Sequence, residues 1–380
     1  MARRQSKTEC IMTYLLNLIE QGQLPADGRL PTEKMLCEQF GVSRVPVQAA
    51  FTELAKVVNI QRTPGDGSFV VPDETVKTAA PIDNLIPFVL AEENYGARFW
   101  EAVKGADAYL KQHEHYLMVR YAQKTLQSEI DVIRSLRESG LNSLLLLSRS
   151  KTPESAVFYN RMIGEGCNLV FVDSMYRGIF GDLVSSDNTM GGYLATTHLL
   201  NNGYVRPAFL SLQKAFYGSI EDRIIGYRMA MEENGLSWEQ QRVIYLKDLA
   251  MDGADSLNAY CESFVRRLLH TDERPDALVC ENDYMALTMY RYLQKYDLRI
   301  PRDMAVVGYD NMPEMGNMDT PITSVEQPFY DIGYQAARLC LRKKQHALNG
   351  CEHILIPVHL CERSSSAPRE ASSVSDEADI

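Results

Sequence analysis

The sequence predicts an α/β protein with parallel sheets, preceded by a winged helix-turn-helix module at the N-terminus. Three features support this prediction. From Ile82 onward, short apolar runs alternate with amphipathic helical patterns, and this alternation is typical of strand-helix units. Residues 30–70 instead hold two short helical patterns joined at a glycine, followed by two β-prone runs. The segment 72–81 between the two parts lacks apolar periodicity, which indicates a linker.

The composition is that of a globular protein with several domains. The 380 residues are 45% hydrophobic and 23% charged, and this length allows two or three domains with sizeable cores. No apolar run reaches the roughly 18 residues of a membrane span, and the basic start leads into an amphipathic helix rather than a signal peptide. The eight cysteines show no Cys-x-x-Cys pair and no metal-ligand spacing. We therefore expect reduced thiols in a cytoplasmic protein, with no metal and no cofactor.

The charge is divided unevenly along the chain. The net charge is −11, yet residues 1–72 hold eight lysines and arginines against seven acidic residues, a balance of +1 that leaves −12 for the remainder. Attraction to phosphate must therefore depend on where single basic side chains lie, while the acidic remainder repels nucleic acid. The basic residues available for that contact are Arg3, Arg4, Lys7, Lys34, Arg44 and Arg62.

The first predicted elements are three helices. An amphipathic helix over 9–20 is followed by a short helix over 32–40, with Thr32 as its N-cap and Gly41 just past its end. Ser43 caps the third helix. Helical spacing then separates the residues of that helix into a core set and an exposed set. The core set is Val47, Ala50, Phe51 and Leu54, and the exposed set is Arg44, Val45, Gln48 and Thr52.

A hairpin is predicted after these helices. Two β-prone runs at 60–63 and 68–71 flank the turn signal Pro-Gly-Asp-Gly at 64–67. Such a hairpin forms the wing of a winged helix, and the helix before it can enter a major groove. Gly65 and Gly67 would allow the backbone to approach a phosphate or a narrow groove closely.

Three blocks of this module resemble the winged-helix domain of the GntR family of bacterial transcription regulators. They are Gly-Arg-Leu-Pro-Thr-Glu at 28–33, Phe-Gly-Val-Ser-Arg at 40–44 and Gly-Asp-Gly-Ser-Phe-Val at 65–70. The alternative for a bare helix-turn-helix pattern is a small helical module for protein contacts. The resemblance implies contact with double-stranded operator DNA, although Gln48 stands where the family usually has arginine. The implied DNA contacts are Arg4, Lys34, Ser43, Arg44, Val45, Gln48, Arg62, Gly65 and Gly67.

The larger part of the chain alternates predicted strands and helices. Strands are expected at 86–90, 116–121, 143–147, 169–172, 183–185, 207–210, 277–280, 304–308 and 324–325. Helices are expected at 99–112, 128–139, 191–201, 220–233, 259–270 and 284–295. A last helix at 331–348 precedes a strand at 353–359, and the tail 364–380, rich in serine and acidic residues, is expected to be disordered.

Five stretches of this part resemble the effector domain of the LacI/GalR regulators, which has the fold of periplasmic sugar-binding proteins. They lie at 186–199, 223–227, 275–286, 300–311 and 321–329. The resemblance implies a two-lobed, periplasmic-binding-protein-like domain with parallel sheets over 82–363. Lobe 1 would take about 82–202 and 327–350, and lobe 2 about 203–326 and 351–363. With a GntR-type domain at 1–71, this arrangement is the arabinose-repressor type of architecture.

The same resemblance implies an effector site between the lobes. Ligands of open α/β sheets lie beyond the carboxyl ends of the strands, where carboxylates, amides and guanidinium groups can meet the hydroxyls of a sugar. The polar contacts carried over are Asp187, Arg223, Asn282, Asp310 and Gln327, with Phe329 as a packing contact. Several have a plainer interpretation, because Asp187 and Asn282 can cap the helices that follow and Arg223 can be an exposed first-turn residue.

These features predict a homodimeric transcription regulator, most simply a repressor, controlled by a small carbohydrate. Two winged helices on a two-fold axis would match a pseudo-palindromic operator. One alternative is the same architecture with a non-sugar effector such as a purine. A transport receptor lacks support because the chain has a DNA-binding head, and a sugar-modifying enzyme lacks support because no nucleophile–base pair or phosphate loop is evident. We therefore expect operator DNA, a small effector and a second copy as partners, and no membrane.

Overall fold

The computed structural model divides the chain into two units, Met1–Pro81 and Ile82–Ile380. The residues it describes are 6–21, 23–25, 27–63, 67–70, 82–91, 99–148, 150–214, 218–249, 256–271, 274–346 and 350–369. Arg4, Gly65, the linker 72–81 and residues 370–380 thus lie outside the described residues. Among the described helices, none combines the length and the apolar character that crossing a membrane requires.

The first unit consists of three helices followed by a hairpin. Its helices are α1 (Lys7–Glu20), α2 (Glu33–Phe40) and α3 (Arg44–Leu54), and its strands are β1 (Ile60–Thr63) and β2 (Gly67–Val70). The Thr32 side chain caps α2, and Gly41 ends that helix in the left-handed conformation, as predicted. The predicted core positions of α3 are buried because the helical period places them on one side. They are Val47, Ala50, Phe51 and Leu54, each no more than 2% exposed.

A third extended segment pairs with the hairpin. The Leu30 N–H donates to the Ser68 carbonyl over 2.9 Å, and the Val70 N–H donates to the Gly28 carbonyl over 2.8 Å. Gly28 has a φ of +69°, and a Cβ at this position would lie 2.6 Å from the Val70 carbonyl oxygen. Glycine is therefore needed at position 28 for this close approach.

Two six-stranded sheets form the second unit. In chain order its strands are β3 (Leu85–Leu90), β4 (Tyr116–Tyr121), β5 (Ser143–Leu147), β6 (Asn168–Val172), β7 (Asp182–Ser186), β8 (Pro207–Ser211), β9 (Arg242–Tyr245), β10 (Ala277–Cys280), β11 (Ala305–Asp310), β12 (Thr323–Glu326), β13 (His353–Ile356) and β14 (His359–Cys361). Its helices are α4 (Phe99–Gln112), α5 (Leu126–Glu138), α6 (Pro153–Gly164), α7 (Asn188–Asn201), α8 (Gly218–Glu233), α9 (Leu257–Leu268), α10 (Asp283–Lys295) and α11 (Phe329–Gln345).

The two sheets define two lobes. Lobe 1 has the strand order β13-β7-β6-β5-β3-β4, and lobe 2 has the order β14-β12-β11-β10-β8-β9. Every pairing is parallel except that of β14 with β12. Successive residues of a strand face opposite cores, since Phe88 packs with α4 and α11 while Val89 packs with α5 and α6. Helices on both faces explain why these strands are almost continuously apolar in sequence.

The chain crosses between the lobes at three places in the described residues, and two of them correct the predicted lobe boundaries. Ala195 and Leu199 of α7 lie in the core of lobe 2, so the first crossing lies at Asp187 and not near 202. The second crossing follows β12. β13 pairs with β7 of lobe 1, so the third crossing lies at Pro357 and not at 351. The strand predicted at 353–359 is therefore two strands in different sheets, separated at a proline that lacks the N–H to continue a ladder.

The ordered chain also continues past the predicted start of the tail. Ser364–Ser366 form a short 3₁₀ helix, in which Ser365 and Ser366 are fully buried. The Ser365 hydroxyl donates to the Val306 carbonyl over 2.6 Å, and the Thr323 N–H donates to the same hydroxyl over 2.8 Å. The prediction of disorder is wrong for 364–369, because these serines satisfy backbone groups of lobe 2.

Candidate functional site

The exposed face of α3 carries four of the predicted DNA contacts. Ser43, Arg44, Val45 and Gln48 are all exposed, Val45 to 74%. Ser43 begins the helix, but its side chain makes no capping hydrogen bond. A hydroxyl, a guanidinium, a methyl-bearing side chain and an amide are the groups that read base edges in a major groove. The face is therefore chemically suited to direct contact with bases.

Basic and flexible positions flank this face. Lys34 of α2 and Arg62 of β1 are exposed, and the Arg62 guanidinium lies 5.5 Å from the centroid of the Phe51 ring. Gly67 begins β2 with a φ of +130°, a backbone conformation that favours glycine. Arg4 and Gly65 lie outside the described residues.

Gln48 is tied to an acidic neighbour. Its amide nitrogen donates to the Glu33 carboxylate of α2 over 3.3 Å. The position at which the family usually carries arginine thus holds a neutral side chain whose amide is already partnered. This arrangement lowers the positive charge of the exposed face.

In the second unit, Arg223 of α8 lies at the centre of a polar cluster. Although charged, it is only 6% exposed. Its Nε donates to Asn188 Oδ1 over 2.9 Å, and its Nη1 donates to the Glu281 backbone carbonyl. The guanidinium carbon lies 3.5 Å from the centroid of the Tyr309 ring, a cation–π contact. The interpretation of Arg223 as an exposed first-turn residue is therefore wrong.

Asp310 ends β11 in an unusual backbone conformation. Its φ is +116° and that of Asn311 is +50°, and non-glycine residues held at positive φ concentrate at functional sites. Burial raises the pKa of Asp310 to about 7, while the positive charge of Arg223 opposes this rise and Asp283 adds to it. The carboxyl group therefore keeps its proton to a higher pH than an ordinary aspartate does.

Gln327 connects the two lobes at the second crossing. It is 5% exposed. Its Oε1 accepts a hydrogen bond of 2.8 Å from Ser186, the last residue of β7 in lobe 1. Its Nε2 donates to Asp310 Oδ1, at the end of β11 in lobe 2. A ligand that interacts with Asp310 would therefore act on a side chain that joins both sheets.

The remaining predicted contacts have structural roles. Asp187 and Asn282 each accept a backbone N–H over 2.9 Å and so cap α7 and α10. Both stay partly exposed, so their capping does not remove them from reach of a ligand. Phe329 is 4% exposed, and its ring centroid lies 4.8 Å from that of Phe99 in the core of lobe 1. Phe329 thus belongs to the core of lobe 1.

A second group of contacts joins the lobes beside the cluster. Arg177 follows β6 in lobe 1. Its Nε lies 3.0 Å from a carboxylate oxygen of Glu221, and its Nη2 lies 3.0 Å from a carboxylate oxygen of Asp222. Both acidic residues belong to α8 of lobe 2. Burial raises the pKa of Asp222, and Arg177 opposes this rise. Arg177 is 54% exposed, so this ion pair is weak and sensitive to salt.

Sequence reasoning missed several members of the cluster. The Glu281 carboxylate accepts a hydrogen bond of 2.6 Å from the Ser211 hydroxyl, and burial raises the pKa of Glu281. The Tyr309 hydroxyl is buried and has no hydrogen-bond partner within the described residues. A usable signal existed, since polar residues at or just after the end of an apolar strand are candidates for the ligand edge of the sheet. The missed residues are Ser186, Asn188, Glu281 and Tyr309.

Family models match both units of the chain. Residues 7–70 match the model of bacterial regulatory proteins of the gntR family, and residues 196–366 match a periplasmic binding protein-like domain. An arabinose metabolism transcriptional repressor of Halalkalibacterium halodurans is 24% identical over 96% of this chain and 97% of its own. The repressor PurR of Vibrio campbellii is 28% identical over 68% of this chain and 75% of its own.

Solved structures share the fold of the second unit. A LacI family regulator from Enterococcus faecium with bound ribose superposes with a TM-score of 0.60 and 21% identity, over 75% of this chain and 99% of its own. The transcriptional regulator CelR in complex with cellobiose gives a TM-score of 0.62 and 21% identity, over 88% of this chain and 100% of its own.

Proposed function

We propose that the chain is a DNA-binding transcription regulator controlled by a small carbohydrate, because residues 7–70 match the model of bacterial regulatory proteins of the gntR family and residues 196–366 match a periplasmic binding protein-like domain. The sugar would bind between the lobes of the second unit, at the cluster around Arg223. The exposed face of α3, from Ser43 to Gln48, would contact operator DNA in the cytoplasm. Arabinose metabolism repressors related over nearly the whole length support a repressor.

One observation carries the proposal for the effector. Gln327 is bonded at once to Ser186 of lobe 1 and to Asp310 of lobe 2. A ligand hydroxyl that bonds to Asp310 or Arg223 would therefore bias the relative position of the lobes, which is the hinge type of conformational change. A sugar suits the cluster because its hydroxyls both donate and accept, as carboxylate, amide and guanidinium groups require.

The proposal also includes a homodimer and a downward effect of the sugar on DNA binding. Two copies of the winged helix would contact the two halves of a pseudo-palindromic operator. Movement of the lobes would then change the fit of the two heads to those half-sites. By linkage, operator DNA must weaken sugar binding by the same factor by which the sugar weakens operator binding, typically about 5–150-fold.

A purine is the second candidate effector. Relatives named PurR, from several Vibrio species, are 27–28% identical over about two thirds of this chain. Arg223, stacked on the Tyr309 ring, and the nearby carboxylates could also hold the donor and acceptor edge of a heterocyclic base. The two candidates need different binding sites. A sugar requires several hydrogen bonds to its hydroxyls, whereas a purine requires a flat apolar pocket.

The test has two stages. Isothermal titration calorimetry of the full chain against arabinose, ribose, cellobiose and two purine bases identifies the ligand, and we expect one of the sugars to bind and the purines not to. The same titration is then repeated with saturating operator DNA selected from a genomic library. Weaker sugar binding on DNA supports the proposal. Equal affinities in both titrations would eliminate allosteric control, and binding of a purine alone would replace the sugar by the second candidate.

A further inference from the structure

Three side chains of different chemistry meet on lobe 2 at the end of β12. Glu326 is the last residue of β12, and His359 and Cys361 lie on the adjacent strand β14. The Nε2 atom of His359 lies 3.0 Å from Glu326 Oε2, and Cys361 Sγ lies 3.4 Å from the same oxygen. One ligand atom from each residue lies within 4.8 Å of the others.

Strand register explains why these side chains converge. In the antiparallel pair, Glu326 is opposite His359 and Ser324 is opposite Cys361. Residues two apart on a strand point to the same side of the sheet, so His359 and Cys361 share a face, and that face also carries Glu326. The ligands come from two strands that are more than 30 positions apart in sequence, which is why no metal-ligand spacing is visible along the chain.

The chemistry and the distances fit a zinc-type ion. A carboxylate oxygen, an imidazole nitrogen and a thiolate sulfur are the three ligand types that Zn²⁺ takes, at about 2.0–2.3 Å from the metal. Ligand atoms on a tetrahedron of that size are about 3.3–3.8 Å apart. The observed separations of 3.0 and 3.4 Å from Glu326 Oε2 are close to this range, and all three ligand atoms lie within 4.8 Å of one another, so side-chain rotations can bring them onto one ion.

The surroundings leave one side of the group open. The His359 side chain is 66% exposed, so an ion can enter from solvent. Asn311 Nδ2 donates to Glu326 Oε2 over 3.0 Å, and the Arg363 guanidinium donates to Asn311 Oδ1 over 2.6 Å. These bonds orient the Glu326 carboxylate, as second-layer partners of metal ligands do.

We propose that Glu326, His359 and Cys361 form a binding site for a thiophilic divalent ion such as Zn²⁺, with a fourth position open to water. The ion would join β12 and β14 near the second and third crossings between the lobes. Binding releases the thiol proton to solvent, because the ligand is the thiolate. This site does not depend on the proposed effector and can be tested without it.

The experiment uses the full-length chain, stripped of metal and kept reduced with a phosphine. Co²⁺ is added as a spectroscopic substitute for Zn²⁺, and Zn²⁺ affinity is measured against a chromophoric chelator. We expect one Co²⁺ per chain, with tetrahedral visible bands and a thiolate-to-cobalt charge-transfer band in the near ultraviolet. Cys361→Ser should lose the charge-transfer band, and His359→Gln should weaken Zn²⁺ binding at least about tenfold.

The matched control is the double variant Cys351→Ser with His353→Gln. This pair has the same Cys-x-His composition on lobe 1 but lies outside the group of three ligands. It should leave both the spectrum and the Zn²⁺ affinity unchanged. A wild-type spectrum without a charge-transfer band, or a band that survives in Cys361→Ser and disappears in the control, would overturn the proposal. Far-ultraviolet circular dichroism confirms that each variant is folded.

Discussion

The face of α3 and the cluster around Arg223 differ in how their polar residues are held. Arg44 and Val45 are exposed, Val45 to 74%. Arg223 and Gln327 are no more than 6% exposed and are bonded to groups in several elements. Truncation of an exposed side chain changes stability little, whereas truncation of a buried charged one leaves its partners unsatisfied. Binding and stability are therefore separable at the first surface and coupled at the second.

The largest effect is expected for Arg223→Ala. Its removal leaves the Asn188 amide and the Glu281 carbonyl without a donor and the Tyr309 ring without its cation. We expect the variant to lose about 2–4 kcal/mol in the free energy of unfolding, measured in urea, together with its response to ligand. The exposed arginine Arg291, changed to alanine, is the control. Arg291 is exposed in α10 of lobe 2, so equal unfolding midpoints for the two variants would show that the buried contacts of Arg223 do not stabilise the fold.

The second effect concerns Arg44→Ala, which should affect binding alone. Arg44 is exposed in the first turn of α3, within reach of phosphates or guanine edges in a major groove. We expect a loss of about 1–3 kcal/mol in operator binding by fluorescence anisotropy, with an unchanged melting temperature. Lys56→Ala is the control, because Lys56 lies beyond α3 and pairs with Glu53. The prediction fails if the two variants bind operator equally well.

The third effect is a pH dependence of the free energy of unfolding, which we expect from Asp310 in the cluster. Since the pKa of Asp310 is raised to about 7, the native state holds this proton more tightly than the unfolded chain does. The group therefore contributes stability below the unfolded pKa, and this contribution is lost as the pH rises through about 7.

Asp310→Asn should remove that component. We expect the wild-type free energy of unfolding to fall between pH 5 and pH 8 relative to that of the variant, measured in urea at each pH. Asp319→Asn, at an exposed position, should keep the wild-type slope. Parallel curves for wild type and Asp310→Asn would show that Asp310 ionises normally.

The smallest effect is expected for Arg177→Ala. This exposed residue joins the lobes through Glu221 and Asp222, so its loss should weaken ligand binding by no more than about 1 kcal/mol, with little effect above about 1 M salt. Arg161→Ala removes an exposed pair with Glu165 inside lobe 1 and should leave ligand affinity unchanged. A loss from Arg177→Ala that persists at high salt would indicate a packing role instead.

Local elements were predictable in both regions, because their signals lie within a few residues. Thr32 and Gly41 marked the ends of α2, and the helical period separated Val47 from Val45. The three-layer α/β character of the second unit followed from continuous apolar runs. The boundaries of the lobes did not follow from the sequence. The local patterns of α7 and β13 would fit either lobe, and only the residues that they pack against or pair with assign them to one.

By itself the sequence determined most of the helices and strands, the buried side of α3 and the presence of a helix-turn-helix head before an α/β body, but it did not reveal α6, β9 or the division between β13 and β14. The tertiary structure decided which polar residues meet. Ser186 and Gln327 are 141 positions apart, and Arg223 and Glu281 are 58 apart. A buried polar group must find a partner, but which partner it finds depends on the arrangement of strands. Helix caps and apolar periodicity reflect contacts between residues close in sequence, whereas contacts between two sheets produce no pattern along the sequence.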